Sequence, residues 1–346
     1  MGSSYTIKVW SQAQVEGHTI ELLDDDTTPL EYSITFSWTV GGPFVTTKTI
    51  ATGDRQWNVM TAATFAIHRR DGGLPPQTFT LYNTICSSGG SCYSASADAV
   101  YTDSDSKFVV AHELGHYLAH RKLGMGGQSD LGAAYGDCHG LNNPVPSHEL
   151  QQKEYQSGAF WEGFAQFYAS LVFNKTTEAD CFMQYYKSED FDLDQDADPK
   201  TVNCAGVPWE DAFGNLMDGG DTTNDPAVGE DDYFFDMTHE LPAPAGCDPG
   251  GVVVNRATEY DYARVLWALV QQGMTFTQIL DVMNLLKPEG GTVNGVTLDP
   301  IANDDGLDPD QLADRLSDAF ATYDGGAGTA WQAVWDDLAD IHGVDR

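Results

Sequence analysis

Hydrophobic and polar positions change period along this chain, and the changes mark its elements. Tyr5 to Trp10 is strand-like, and Tyr32 to Val40 alternates with a period of two until Gly41-Gly42-Pro43 interrupts it. Gln56 to Arg70 carries a helical pattern, and strand character returns at Thr78 to Ile85 and Ala97 to Thr102. Phe108, Val109, Val110, Leu114, Leu118 and Leu123 then follow at helical spacing, after N-cap candidates in Asp103-Ser104-Asp105-Ser106 and before a stop at Gly124. A second, almost wholly apolar helix starts near Ser157 and runs to about residue 173. Glu259 to Gln271 and Phe276 to Leu286 are apolar-periodic. Asp308-Pro309-Asp310-Gln311 and Thr329-Ala330-Trp331-Gln332 read as capping boxes, the latter opening a last helix with Trp331, Val334, Trp335, Leu338 and Ile341 on one face before Gly343. Residues 124–157 and 174–257 are loops rich in Gly, Pro, Asn and Asp.

This order predicts an α+β fold, with an antiparallel sheet leading into the helix at 106–123 and helices dominating afterwards. The expected division is a β-rich lobe over 5–125 and a mostly helical lobe over 126–346, together one catalytic unit. Ala99-Val100-Tyr101 is the expected sheet edge, where an extended peptide could add as a further strand.

The helix at 106–123 carries the chemistry. His112-Glu113-Leu114-Gly115-His116 has the H-E-x-x-H form: two histidines four apart lie one turn above each other on a single face and can reach one metal ion. Glu113 then stands where a general base could take a proton from a metal-bound water. A hydrolytic zinc needs a third protein ligand. His120 cannot supply it, because eight residues of straight helix rise about 12 Å from His112. The metzincin pattern would have a glycine where Ala119 stands and a histidine where Lys122 stands, so this chain does not match it.

Glu162 is the better third ligand. It is the single acid among Phe160, Trp161, Phe164, Ala165, Phe167 and Tyr168, where an unpaired carboxylate is costly to bury. With it the chain resembles the gluzincin group of zinc metallopeptidases, over roughly residues 106–123 and 158–173. The resemblance implies a zincin-like fold, Zn2+ held by His112, His116 and Glu162, and Glu113 as the catalytic base. Many gluzincins place an acid four residues after the ligand glutamate to hold the first histidine; Gln166 stands there in this chain. A tyrosine, histidine or arginine often steadies the oxyanion, and Tyr260, Tyr262, Arg264 and His239 are candidates.

Composition narrows the setting. With 52 acidic against 17 basic residues, a net charge of −35 excludes nucleic acid and anionic membrane as partners. No apolar run reaches a membrane-spanning length. Met1-Gly2-Ser3-Ser4 reads as a start joined to a mature chain without a signal peptide. The six cysteines (Cys86, Cys92, Cys138, Cys181, Cys204 and Cys247) show no C-x-x-C pair, so disulfides and a secreted, extracellular or periplasmic location are expected. Cys86 with Cys92, around Ser87-Ser88-Gly89-Gly90-Ser91, is the pairing singled out as a hairpin-closing bridge. The run Asp192 to Asp198 alternates acids like the start of a calcium loop. It lacks the loop glycine and has Asn203 in place of the closing glutamate, so a solvated acidic loop is preferred over a Ca2+ site. The expectation is a monomeric, secreted enzyme acting on peptides or proteins. The alternatives are a non-catalytic extracellular zinc- or calcium-binding adhesion module and a metal-dependent hydrolase of other substrates.

Overall fold

Two kinds of segment assemble here: short β-branched and aromatic strands, and helices that bury one apolar face or, at 156–173, nearly the whole surface. The computed structural model of the chain describes residues 3–10, 12–23, 31–38, 55–86, 89–104, 106–124, 154–177, 184–185, 189–190, 256–287, 290–299, 311–327, 331–341 and 344. The acidic run at 192–198, Asn203, Cys138, Cys181, Cys204, Cys247, His239 and the expected caps at 308–310 and 329–330 lie outside them.

Strands β1 (Ser3–Trp10) and β4 (Glu31–Trp38) pair antiparallel, with Ser3 opposite Trp38 and Trp10 opposite Glu31. The main sheet is built from β2 (Gln12–Val15), β3 (His18–Leu23), β5 (Thr78–Tyr82), β6 (Cys92–Ser94) and β7 (Ala99–Tyr101), in the order β2-β3-β5-β7-β6. Two outer pairs are antiparallel, β2 with β3 and β6 with β7, but β3 with β5 and β5 with β7 are parallel. The expected antiparallel sheet is therefore mixed. Helix α1 (Arg55–Arg69) lies between β3 and β5 and returns the chain to the same end of the sheet, as a parallel neighbour requires.

The expected edge also moves by one strand. β7 is hydrogen-bonded on both sides, and β6 is the edge on that side among the described strands. A hairpin turn folds β6 back onto β7, with Asp98 in the left-handed region at φ 52°, and the Cys86–Cys92 disulfide secures its start. The Cα atoms of that bridge are 6.0 Å apart, as sequence spacing suggested.

One face of the sheet (Ile20, Leu22, Phe79, Leu81, Val100) shares a core with α1 (Val59, Ala63, Ala66, Ile67) and with α2 (Lys107–Leu123), through Phe108, Val110, Leu114 and Leu118. The remaining helices are α3 (Gln156–Phe173), α4 (Glu259–Gln271), α5 (Phe276–Leu285), α6 (Gln311–Ala327) and α7 (Trp331–Ile341), which makes seven among the described residues. All residues of α3 but its last are buried, because α1, α2, α4 and α6 all pack on it. A helix apolar all round has no solvent face to present, so its burial follows from composition. Strands β9 (Gln184–Tyr185) and β10 (Glu189–Asp190) pair antiparallel, and short pairing of β8 (Glu154–Tyr155) with β11 (Arg256–Ala257) brings the starts of α3 and α4 together.

Helix starts are set locally at α4 and α5. Thr258 with Asp261, and Thr275 with Gln278, form reciprocal capping boxes. At α7 the cap is tertiary, since the Gln332 N–H donates to Asp324 Oδ2 of α6 at 2.8 Å. No helix among the described residues is long and apolar enough to cross a membrane.

Candidate metal centre

Helix α2 begins after Ser106, whose extended backbone makes it the N-cap although its side chain makes no cap bond. It ends at Gly124 in the left-handed conformation (φ 68°), whose N–H donates to the His120 carbonyl at 2.8 Å. The motif therefore sits mid-helix, between the sheet on one side and α3 on another. His112 and His116 are each 5% exposed, Glu113 is 2% and Glu162 is 6%. Four ionisable side chains so deeply placed need compensation.

Three of them meet. His112 Nε2 lies 3.1 Å from His116 Nε2, and Glu162 Oε2 lies 3.1 Å from each of those nitrogens. Three basic atoms at the corners of such a triangle repel one another unless a proton or a cation sits between them. A four-coordinate ion with bonds of about 2.0–2.1 Å holds its ligand atoms about 3.3 Å apart, so the spacing fits a metal closely. This buried trio could hold a metal ion.

Two glycines make the trio possible. A Cβ at Gly115 would lie 2.8 Å from Ala165 Cα, so α2 and α3 touch backbone to backbone beside His116. At Gly163, next to Glu162, a Cβ would collide with the Glu259 carbonyl oxygen and lie 2.9 Å from Tyr262 Cβ. Sequence reading missed both roles, although mid-helix glycine is unfavourable and its recurrence beside two members of the trio is itself a signal. It also missed Trp161, whose ring stacks on the His116 imidazole with centroids 5.0 Å apart and planes 13° from parallel.

Other named residues fall in different places. Gln166 is 1% exposed, one turn beyond Glu162. His120 stays apart from the trio and meets the sheet edge, where its Nδ1 contacts the Tyr93 hydroxyl. Tyr93 also donates to Asp98 Oδ1 at 3.2 Å, and Asp98 pairs with Arg121, which donates to the Tyr117 hydroxyl at 3.2 Å. This network latches the β6–β7 hairpin onto the last turns of α2. Burial, with Asp98 beside it, pushes the Tyr93 phenol well above its ordinary value. Of the oxyanion candidates, Tyr262 packs between Phe160 and Trp335 in the core, and Arg264 is 4% exposed. His239 and the Tyr260 side chain lie outside the described residues.

No family model, curated protein or solved structure matches the chain.

Proposed function

We propose that this chain is a secreted zinc metallopeptidase of the gluzincin kind, with a zincin-like arrangement of two lobes (5–125 and 126–346) in one catalytic unit. One observation carries the reading: the buried triangle of His112, His116 and Glu162, at mutual distances of 3.1 Å, with Glu113 next to it in the chain. Two imidazoles and one carboxylate, on a rigid helix pair, suit Zn2+ better than an oxygen-seeking cation such as Ca2+. When bound, zinc supplies Lewis acidity that polarises a scissile carbonyl and eases deprotonation of water.

The chain's own residues do the rest. His112, His116 and Glu162 would hold the ion, with Nε2, Nε2 and Oε2 as the atoms that converge. Glu113 accepts a proton from the attacking water on its carboxylate and returns it to the departing amine nitrogen. β6, with one side unpaired among the described strands, offers backbone groups to an extended peptide.

Glu113 also argues against a binding-only module, since holding a metal does not require it. The test is hydrolysis of a broad peptide library with and without a chelator, by native chain and by Glu113→Gln. The expected result is chelator-sensitive activity, lowered at least about a hundredfold in Glu113→Gln with metal content unchanged. Equal activity in both chains, or none in the zinc-loaded native protein, would remove the peptidase reading.

A further inference from the structure

A histidine that ligates a metal through Nε2 carries its proton on Nδ1, and that N–H is ordinarily given to a carboxylate or carbonyl that fixes the ring. His116 departs from this. Its Nδ1 is buried and has no hydrogen-bond partner among the described residues. Rotation about the Cβ–ring bond is soft, so a ring without such an anchor would not hold Nε2 in one place. Among the described residues, two ring contacts are left to fix it. The His112 ring stands edge-on to it, at 4.7 Å and 88°, and the Trp161 indole lies parallel to it at 5.0 Å. His112 is itself a candidate ligand, which leaves Trp161 as the fixed surface. Trp161 is 5% exposed, on α3 immediately before Glu162, so the same turn supplies both the carboxylate and the plane against which His116 lies.

We propose that Trp161 is the positioning residue of the metal centre, setting the His116 ring by stacking where a hydrogen bond would otherwise do so. This rests on the metal-site reading above. Flat aromatic contact at this separation orients without adding a charge or an acceptor beside Nδ1. The ligand histidine is thereby tied to α3, and the spacing of the trio depends on one helix pair only.

The test is zinc titration of the full chain against a chromophoric chelator, for native protein and for Trp161→Phe, Trp161→Leu and Trp161→Met, with folding followed by circular dichroism. Trp161→Phe keeps a stacking ring and should bind within about threefold of native. Trp161→Leu and Trp161→Met remove the ring and should bind about ten- to a hundredfold more weakly, as loss of a ligand's orienting partner does. Their cobalt-loaded forms should show altered visible absorption, a change that loss of packing elsewhere would not produce. If Trp161→Leu fails to fold, the Phe and Met variants decide. Native affinity in a folded Leu or Met variant, or a loss in Phe equal to that in Met, overturns the positioning role alone. A native chain that takes up no stoichiometric zinc overturns the metal site and this inference with it.

Discussion

Replacing Gly115 by alanine should separate the stability of the fold from the integrity of the metal centre. The added Cβ would stand 2.8 Å from Ala165 Cα and 3.2 Å from Ala165 Cβ and its carbonyl oxygen. Ordinary carbon contacts lie at about 3.5–4.0 Å, so α2 and α3 must part by about 1 Å. Overpacking of this kind costs about 1–3 kcal/mol. Removing a glycine from a helix interior returns about 0.5–1 kcal/mol, which leaves a net loss of at most about 2.5 kcal/mol. Against a typical domain stability of about 5–15 kcal/mol, the variant stays folded. The metal centre has no such margin. Ala165 lies one turn from Glu162 on α3, and moving that turn by about 1 Å opens the 3.1 Å separations to His112 and His116 toward 4 Å. That exceeds the roughly 3.3 Å span of a tetrahedral ion, and zinc affinity should fall at least about tenfold. Urea denaturation of the metal-free chain and zinc titration against a chelator measure the two effects separately. Native affinity combined with native or higher stability would refute the backbone contact and the geometric argument built on it.

Further outcomes follow from the same structure. Glu162→Ala should lose stoichiometric zinc, whereas His120→Ala, outside the trio, should retain it; full occupancy in Glu162→Ala, read by metal analysis, would defeat the gluzincin assignment. Burial raises the phenols of Tyr93, Tyr168 and Tyr262 above the ordinary value, so the folded chain keeps protons that the unfolded chain releases from about pH 10 upward. Stability should therefore fall as pH rises through that range, by up to about 1.4 kcal/mol per pH unit for each tyrosine. Urea midpoints between pH 8 and 11 check this, and the slope should be smaller in Tyr93→Phe. Removing the Cys86–Cys92 bridge with paired serines should cost about 2 kcal/mol for so short a loop, with amide exchange accelerating first at β6. If the chain is secreted as proposed, thiol titration of the unfolded, unreduced protein should find three disulfides; two or more reactive thiols would contradict that location.

The parts of this protein legible in the sequence are those governed by local periodicity. His112 and His116 share a face because a helix repeats every 3.6 residues, and Gly124 ends that helix because it tolerates a left-handed backbone. Glu162 could be singled out because a lone carboxylate in an apolar helix has an energetic problem that a metal solves, and the structure brings it to 3.1 Å from both histidines. Even some unread signals were local, such as the Thr258 and Thr275 capping boxes and the Asn294-Gly295 turn between β12 (Gly291–Val293) and β13 (Val296–Leu298). Strand order was not legible. Alternation reports which face of a strand is buried but not which strand lies beside it, so the parallel neighbours of β5 and the edge position of β6 emerged only when α1 and the disulfide-closed hairpin took their places. The approach of α3 to α2 at Gly115, the stacking of Trp161 on His116 and the capping of α7 by Asp324 are likewise contacts between residues distant in the chain. Periodicity can bring two histidines together within one helix, but the approach of Glu162 depends on how closely two helices pack, and only the assembled core determines that distance.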